Sequence, residues 1–410
     1  MTMIGFKLFQ AFKGNTVPFG LRLLFGAVSL AFALIIWFSS LHLLFEPNLA
    51  DYLSNGPVAP KTQEIAAYHL KLWEDPGLRA QTIDRMRTSN PEWDFMGRTY
   101  LVLALANMCL REPSEKERFL TIIDRIIDNT LEVEREKGIF HFLMGYSRDR
   151  PFVYQQAHSL FIDGEIALML GARRLVEEKS KYRELLNRRV DLMLSQMQKN
   201  PVLSGESYPD ECWMFCNTVA LAAIKVFDIL EGQDHSDFLI KWLATAKENL
   251  IDKKTGLLIS SYTFGGDHLD GPEGSSIWMV SHCLQIIDEE FAKDQYRRAK
   301  KELARSLLGF AYAREWPVSW QGPQDIDSGP TIPILEANAG ASGLAFLGAS
   351  SFGDKKFLGG LLASLNLGAF PVKENGTLRF RASNQVGDAV LLYSLVQGPL
   401  WREVKARTGQ

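Results

Sequence analysis

Two kinds of helical pattern alternate along the chain after residue 60. In the first kind almost every position is apolar, which is typical of a helix buried on all sides. In the second kind apolar and charged positions alternate with helical periodicity, which indicates one face on a core and one in water. The buried kind spans residues 100–110, 159–172, 218–230, 276–287, 335–350 and 388–401. The amphipathic kind spans residues 114–137, 181–199, 236–251 and 294–310, with weaker patterns over 61–74 and 355–367.

This alternation predicts an all-α fold, an (α/α)6 toroid over residues 60–401, in which six inner helices form a ring inside six outer ones. The buried helices recur about every 50–60 residues, the period of a helical-hairpin array. An open helical solenoid is the alternative architecture for such a repeat. A closed ring predicts that one central position in each inner helix is inaccessible to water, namely Ala106, Ala167, Ala222, Val280, Ala345 and Leu392. Residues 402–410 are expected to form a C-terminal tail.

A separate apolar stretch precedes the repeats. Residues 23–45 contain no Lys, Arg, Asp or Glu, and about 20 apolar residues are enough to cross a membrane. Lys7, Lys13 and Arg22 precede the stretch, and no acidic residue does. Because positive flanks stay in the cytoplasm, we expect residues 1–22 in the cytoplasm and a single-pass transmembrane anchor over 23–45. The toroid would then lie in the periplasm or outside, on a bacterial inner membrane. A cleaved secretory signal and a buried core helix are the alternatives.

Composition narrows the classes of partner. Hydrophobic residues make up 46% of the chain and charged residues 23%, as in globular proteins, which excludes a disordered or fibrous chain. Forty-five basic residues against 48 acidic ones leave a net charge of −3, so no basic excess is available to bind nucleic acid. Four cysteines do not form a disulfide framework in a chain of 410 residues. The expected partners are a membrane, through residues 23–45, and a small-molecule or glycan substrate.

Polar and aromatic clusters lie just before each apolar helix. They fall at residues 90–94, 154–158, 208–213, 270–276, 320–329 and 381–385. In a closed ring the N-termini of all inner helices open on one face, so these clusters would line a single funnel. Single Ser, Asp or Asn residues before a helix are usually caps, but most of these clusters also carry Trp, Tyr, His or several acids. Convergent polar groups at a concave surface are the default hypothesis for a binding site.

Acid–base chemistry is the reaction type that these clusters favour. The candidate catalytic residues are His158, Asp210, Cys216, Glu273, Asp325 and Asp327. The candidate substrate-binding residues are Tyr154, Ser207, Tyr208, Glu211, Trp213, Ser275, Trp320 and Asn384. Glu92 and Asp94 add two further carboxylates, and a suitably spaced carboxylate pair would instead suit glycoside hydrolysis. The alternatives from the residues alone are helix caps for the acids and core packing for the aromatics.

Sequence motifs for metal or cofactor binding are missing, so we expect neither a metal nor a cofactor. The chain has no HExxH, no paired CxxC, no Walker loop, no GxGxxG after a strand and no GxSxG. Cys212 and Cys216 are four residues apart, which would place both thiols on one helix face. Such a pair could be redox-active, bind a soft metal, act as acid and base, or simply pack as two small buried side chains.

The segment around these cysteines resembles linalool dehydratase/isomerase. Residues 207–220, SYPDECWMFCNTVA, share with that family Pro-Asp followed by Cys-Asn-x-Val-Ala at the same spacing. The similarity extends back to Tyr154 and His158 and to Gly-Ala-Arg-Arg at 171–174, and forward to Asn-Leu-Ile-Asp at 249–252 and Gly-Leu at 256–257. It covers roughly 130 residues.

The resemblance implies an exported (α/α)6 toroid that dehydrates and isomerises small monoterpene alcohols without a cofactor. It also implies a cyclic homo-oligomer with sites near subunit contacts. His158 and Cys216 match polar residues of that family's pocket, whereas the family's second active-site cysteine corresponds to Ser207 here. Because a helix N-terminus lowers the pKa of a thiol, we expect Cys216 to favour the thiolate.

Three functional hypotheses follow. The leading one is an acid–base lyase or isomerase acting on a small alcohol. The second is a glycan-active hydrolase or lyase that uses the funnel carboxylates. The third is a non-catalytic binding or scaffold protein of the cell envelope.

Overall fold

The protein forms a closed ring of six inner helices surrounded by six outer ones. A computed structural model describes residues 18–154, 159–325 and 328–408. The inner helices are α4 (Pro91–Arg111), α6 (Leu160–Val176), α8 (Met214–Glu231), α10 (Gly274–Leu284), α12 (Ala339–Ser351) and α14 (Gln385–Val396). The outer helices are α2 (Pro60–Glu74), α5 (Lys116–Lys137), α7 (Ser180–Met197), α9 (Ser236–Asn249), α11 (Glu289–Leu303) and α13 (Lys355–Gly368). The remaining helices are α1 (Phe19–Ser40), α3 (Pro76–Ser89) and α15 (Pro399–Thr408).

Packing of the last inner helix against the first closes the ring. Each inner helix contacts the next in chain order, and α14 contacts α4. The closed toroid is therefore confirmed and the open solenoid is wrong. The six positions predicted to be inaccessible, Ala106, Ala167, Ala222, Val280, Ala345 and Leu392, are all 0% exposed.

Small residues allow the inner helices to approach closely. A Cβ on Gly348 of α12 would lie 2.7 Å from the ring of Trp278 on α10, and a Cβ on Gly171 of α6 would lie 2.7 Å from Val226 on α8. Real Cβ atoms do not come so close to their neighbours, so these two helix pairs depend on glycine at these positions.

The two faces of the ring are different. We call the face at which the inner helices begin the mouth; it carries the N-caps Asn90, Ser159, Trp213, Glu273, Asn338 and Asn384. The opposite face, where the inner helices end, is the far end. Every connection from an outer helix to the next inner helix therefore lies at the mouth.

Short strands occupy these mouth connections. They are β1 (Cys212–Trp213), β2 (Ser261–Tyr262), β3 (His268–Asp270), β4 (Ala304–Leu307), β5 (Phe310–Ala313), β6 (Thr331–Ile332), β7 (Ala337–Asn338), β8 (Pro371–Glu374) and β9 (Thr377–Phe380). All pairings are antiparallel: β1–β2–β3 form one small sheet, and β4–β5, β6–β7 and β8–β9 are separate pairs. β1 and β2 pair Cys212 with Tyr262 and Trp213 with Ser261.

Two helix predictions are wrong at their ends. The amphipathic pattern over 294–310 ends as a helix at Leu303 and continues as the β4–β5 hairpin, because Leu308 and Gly309 at its turn have positive φ angles of 50° and 86°. The apolar pattern over 388–401 divides into α14 and α15, because Gly398 has a φ of 116° and Pro399 starts a new helix.

The far end of the ring is covered by α15. This helix contacts α4, α6 and α8. The indole of Trp401 donates a 3.1 Å hydrogen bond to the His282 carbonyl and stacks on the His282 ring at 5.2 Å. The Leu400 backbone N–H donates a 3.0 Å hydrogen bond to Asn107 on α4. Residues 402–408, assigned to a tail from the sequence, thus belong to a helix that seals the ring.

The N-terminal helix α1 lies outside the body. Its 22 residues have no buried side chain, and the helix is long and apolar enough to cross a membrane. The alternative of a buried core helix is therefore wrong. The helix begins four residues before the predicted span of 23–45 and is followed by a 3-10 turn at Leu41–Leu44.

Residues 41–58 run down the outside of the ring from the mouth to the far end. At the mouth, the rings of His42 and Phe45 contact Phe310 of β5 at 6.4 and 6.3 Å. At the far end, the Arg111 guanidinium donates hydrogen bonds to the carbonyls of Ser54 and Gly56. The chain therefore leaves α1 at the mouth side of the body.

Candidate functional site

A buried carboxyl group lies at the centre of the ring. Glu165, on the second turn of α6, is 2% exposed, and the Thr99 hydroxyl of α4 donates a 2.6 Å hydrogen bond to its Oε2. Burial raises the pKa of Glu165 to about 8, and the negative charge of Glu92 raises the pKa as well. The Thr99 hydrogen bond acts in the opposite direction. Glu165 is thus predominantly protonated at neutral pH, a state suited to a general acid.

Tyr100 adds a neutral hydroxyl beside this carboxyl group. Its side chain is fully buried, and burial raises its pKa, with further increases from the charges of Glu165 and Cys216. Among the residues that the structure describes, none makes a hydrogen bond with its hydroxyl. Buried hydroxyl groups are normally satisfied, so Tyr100 has an available donor inside the ring.

Cys216 is the third group of this cluster. It is buried on the first turn of α8, and the Ser207 hydroxyl forms a hydrogen bond with its sulfur. Burial raises the pKa of Cys216 well above its usual range, the Ser207 hydrogen bond lowers it, and the charges of Glu165 and Glu92 raise it further. The predicted thiolate is therefore wrong: burial outweighs the helix N-terminus, and Cys216 is a neutral thiol at physiological pH.

A second carboxyl group approaches from the mouth. The Tyr208 hydroxyl donates a hydrogen bond to Oε1 of Glu92 and accepts a 2.9 Å hydrogen bond from the backbone N–H of Met144. The ring of Tyr146 stacks on Tyr208 at 4.8 Å. Glu92, at the first turn of α4, is therefore held by a tyrosine that is itself fixed on both sides. The negative charge of Glu92 raises the pKa of both Glu165 and Cys216.

Glu211 is a further, partly exposed carboxyl group beside Tyr146 at this part of the mouth. The hydroxyl of Tyr146 donates a 3.2 Å hydrogen bond to Glu211, and Arg150 lies 3.4 Å from it. Burial raises the pKa of Glu211, while the hydrogen bonds from Tyr146 and Trp213 lower it. Four predicted substrate-binding residues, Ser207, Tyr208, Glu211 and Trp213, thus occur together at this sector of the mouth.

Glu206 organises the loop that leads into α6. It is fully buried, and its two oxygens accept hydrogen bonds of 2.8–2.9 Å from the backbone N–H groups of Val153, Tyr154 and Asp210. Residues 153 and 154 lie five and four positions before the predicted catalytic His158, which lies outside the described residues. The side chain of Glu206 therefore holds the chain before that position, and its backbone carbonyl accepts a 2.7 Å hydrogen bond from Leu160 after it.

The contacts that Asp210 makes stabilise this loop. It adopts a left-handed backbone conformation with a φ of 57° in the tight turn from Tyr208 to Glu211. Its Oδ1 accepts a 3.0 Å hydrogen bond from the backbone of Phe264, and its Oδ2 lies 3.9 Å from Arg150.

Glu273 is the N-cap of α10, and Ser275 lies in the first turn of that helix. In the ring of six inner helices, α10 is opposite α4. Glu273 is 4% exposed, and its backbone N–H donates a 2.9 Å hydrogen bond to Ser260. The Ser275 hydroxyl donates a hydrogen bond to the buried Glu315. Glu273 and Glu315 are both buried, and the backbone N–H of Gly274 donates a 2.7 Å hydrogen bond to the Glu315 carbonyl, so this part of the mouth holds a second pair of neighbouring carboxyl residues.

The remaining predicted residues have local partners. Asp325 is exposed, and its backbone carbonyl accepts a 3.1 Å hydrogen bond from the indole of Trp316. Trp320 stacks on Trp316 at 5.9 Å and donates a hydrogen bond to the Pro323 carbonyl. Asn384 caps α14 through a 2.9 Å hydrogen bond from Gly387. Asp327 lies outside the described residues.

Two further sequence-based interpretations change. Cys212 belongs to β1 and not to α8, so Cys212 and Cys216 do not share a helix face. Asp94 pairs with Arg98 at 2.8 Å and with Arg87 at 3.1 Å, and so serves as a buried ion-pair partner. No group of three or more His, Cys, Asp or Glu residues suited to a metal occurs among the described residues.

The central carboxyl group was missed by the sequence-based prediction. Glu165 lies within the apolar pattern over 159–172, which the sequence analysis assigned to a buried helix as a whole. Two acidic residues in this otherwise apolar stretch, Asp163 and Glu165, were the available signal, since such residues are seldom fully buried without a reason. Tyr100 and Thr99 gave no such signal, because both residue types are common in buried helices.

The chain resembles one described family. A family model described as linalool dehydratase/isomerase matches residues 167–386, more than half of the chain. This range includes Cys216 and Glu273 but begins two residues after Glu165.

Two solved structures also align with the chain. A GH76 α-mannanase from Bacteroides thetaiotaomicron has 13% identity and a TM-score of 0.47, over 76% of this chain and 87% of that one. A glycoside hydrolase of family 105 from C. acetobutylicum has 14% identity and a TM-score of 0.43, over 82% of this chain and 99% of that one.

Proposed function

Because the chain belongs to the linalool dehydratase/isomerase family, we propose that it is a membrane-tethered lyase or isomerase that acts on a small apolar alcohol by acid–base chemistry without a cofactor. The observation that carries this proposal is the central cluster of Glu165, Tyr100 and Cys216. Burial keeps all three groups protonated at neutral pH, with the pKa of Glu165 at about 8.

Dehydration of an alcohol needs one proton to be delivered and one to be removed. The carbon–oxygen bond breaks as the hydroxyl group accepts a proton and leaves as water. A neighbouring carbon–hydrogen bond then breaks, its electron pair forms the carbon–carbon double bond, and a base takes the proton. The protons balance, so acid and base side chains are sufficient. Addition of the water at a different carbon gives the isomerised alcohol.

Glu165 is the proposed general acid in this scheme. A carboxyl group with a pKa near 8 carries its proton at neutral pH and can still release it readily. Tyr100 and Cys216 are the proposed hydrogen-bond donors that hold the leaving hydroxyl group, since their raised pKa values keep them neutral. The proposed base is Glu92, which Tyr208 orients through its hydrogen bond.

The proposed location follows from α1. The basic residues Lys7, Lys13 and Arg22 favour a cytoplasmic N-terminus, which would put the toroid on the outer side of the inner membrane. The apolar, unburied α1 supports a tether. Association into a homo-oligomer is part of the same proposal.

The experiment compares turnover of linalool by the full-length protein and four variants. Glu165→Gln and Cys216→Ala alter the proposed cluster, and Glu92→Gln alters the proposed base. Cys109→Ala is the matched control, because Cys109 is also a buried thiol with a raised pKa but lies near the far end of α4. Dehydration and isomerisation products are quantified by gas chromatography.

We expect turnover to fall about a hundredfold or more in Glu165→Gln and Glu92→Gln, the usual value of a general acid or base. Cys216→Ala should lower turnover less, and Cys109→Ala should leave it unchanged. Full activity of Glu165→Gln would contradict the assignment and move attention to the second carboxyl pair, Glu273 and Glu315. Hydrolysis of a glycan that is lost on mutation of that pair would favour the glycosidase hypothesis.

A further inference from the structure

Exposed apolar side chains are concentrated at one face of the body. Leu307 and Leu308 form the tip of the β4–β5 hairpin, and Ile332 and Ile334 lie in the connection before α12. Leu367 lies in the last turn of α13, and Phe370 in the connection that follows it before α14. Each is 39–98% exposed. All three connections start at the mouth, and the β4–β5 hairpin packs against α13 beside Gly360 and Ser364. Away from the mouth, the described body exposes Leu110 at the far end and Ile240 on α9 to a similar degree.

The connection from α1 reaches the same face. The ring of His42 packs against Phe310 and over Gly309 at the turn of the β4–β5 hairpin. Asn366, at the end of α13, donates a 3.1 Å hydrogen bond to the carbonyl of Phe45. The body is thus fastened to the root of α1 by the hairpin and by the end of α13.

This attachment leaves little slack. Only Leu41 lies between Ser40, the last residue of α1, and His42, and an extended chain spans at most about 3.6 Å for each of these two residue steps. The β4–β5 hairpin must therefore stay within about 7 Å of the end of α1, plus the length of the His42 side chain. Leu43 and Leu44, in the same turn, are 61% and 70% exposed.

We propose that the mouth of the toroid lies against the surface of the membrane that α1 spans, with the apolar residues of the β4–β5 hairpin and of the connections before α12 and α14 in the interfacial layer. A patch of exposed apolar side chains marks an interaction surface, and side chains of this kind insert at the boundary between headgroups and acyl chains. The short attachment places this particular patch at the bilayer that receives α1.

This orientation lets the substrate of the proposed function pass from the membrane into the mouth of the toroid. An apolar alcohol partitions into the acyl layer, so a site whose mouth faces that layer receives the alcohol from the membrane. This step rests on the proposed function, whereas the contact between the mouth and the membrane depends only on the tether.

The test uses full-length protein in vesicles of phosphatidylcholine with and without bromine on the acyl chains. A fluorescent label is attached to a single introduced cysteine in Leu308→Cys, Phe370→Cys, Leu44→Cys or Leu110→Cys. The four native cysteines are buried, which favours labelling of the introduced one. An unsubstituted protein treated with the same reagent corrects for residual labelling.

We expect brominated lipid to quench the labels at positions 308, 370 and 44 at least threefold more than the label at position 110. Quenching at 44 but not at 308 or 370 would overturn the contact and leave the tether of the proposed function intact. No quenching at 44 would overturn both. Either result is independent of whether linalool is a substrate, so failure of the proposed chemistry is recognised separately.

Discussion

The hydroxyl of Thr99 donates a 2.6 Å hydrogen bond to Oε2 of Glu165 and so joins the neighbouring inner helices α4 and α6. Two opposing effects act on the carboxyl group. Burial stabilises its protonated form, and the hydrogen bond from Thr99 stabilises its ionised form. A pKa of about 8 is the result, close enough to neutral pH for proton exchange with a substrate.

Thr99→Val should move the pH dependence of turnover. The substitution removes the hydrogen bond that lowers the pKa of Glu165, so this pKa should rise above 8. Because the protonated form is the proposed acid, the alkaline limb of the turnover profile should shift to higher pH. Rates measured from pH 6 to 10 would show the shift.

The matched control is Thr218→Val. Thr218 is equally buried on α8, but its hydroxyl bonds to the carbonyls of Met214 and Phe215 in its own helix. Its profile should coincide with that of the unsubstituted protein. An alkaline limb that stays in place in Thr99→Val would argue against Glu165 as the titrating acid.

Glu165 should also make stability depend on pH. Its pKa rises from 4.5 in the unfolded chain to about 8 in the folded protein. Between these values the unfolded chain releases a proton that the folded protein keeps, so the free energy of unfolding falls as the pH rises. At about 1.4 kcal/mol per pKa unit, the loss by pH 8 is of the order of 5 kcal/mol.

Glu165→Gln removes this titration and should gain thermal stability relative to the unsubstituted protein as the pH rises from 5 to 8. The measurement is the difference in melting temperature between the two proteins at several pH values. Glu248→Gln, on an exposed position of α9, should show a constant difference. A constant difference for Glu165→Gln as well would mean that its pKa is not raised.

Topology can be read from fusions after Gln410. Three basic residues and no acidic ones before the apolar stretch at 23–45 predict that the N-terminus stays in the cytoplasm and that the body is exported. Alkaline phosphatase fused at this position should therefore be active, and a green fluorescent protein should be dark. A fluorescent fusion would place the body in the cytoplasm.

Ala222→Glu should unfold the toroid. Ala222 lies at the middle of α8 and is 0% exposed, and an unpaired buried charge costs several kcal/mol. Ile240→Glu places the same charge on a residue that is 63% exposed, and should melt like the unsubstituted protein. Circular dichroism melts distinguish the two. A cooperative, unshifted transition in Ala222→Glu would contradict the closed core.

The helical repeat could be predicted from sequence because its signal is physical and local. An inner helix surrounded by other helices has to be apolar on every side, and six such segments recur. The exact ends could not be predicted. Leu308 and Gly309 take left-handed conformations in the turn of the β4–β5 hairpin, although the amphipathic helical pattern continues through them.

The site was only partly predictable, because its chemistry depends on burial. The N-cap position of each cluster correctly located the mouth, where Ser207, Tyr208 and Cys216 lie. The protonation state of Cys216 depends on how completely the other inner helices bury its thiol, and the sequence of its own helix does not determine this burial. Glu165 had to be distinguished from Asp163, a second buried acid of the same helix, which pairs with Arg189.

The seal at the far end has a consequence for how the chain folds. The hydrogen bond from Leu400 to Asn107 joins residues 293 positions apart, and α14 meets α4 over a similar separation. Contacts of such long range pay a large loop-closure entropy and form late. During synthesis the apolar inner helices therefore remain exposed to solvent until α15 has been made. Ribosome-bound and prematurely terminated chains form an incomplete ring, whose exposed apolar surface is prone to aggregation and proteolysis.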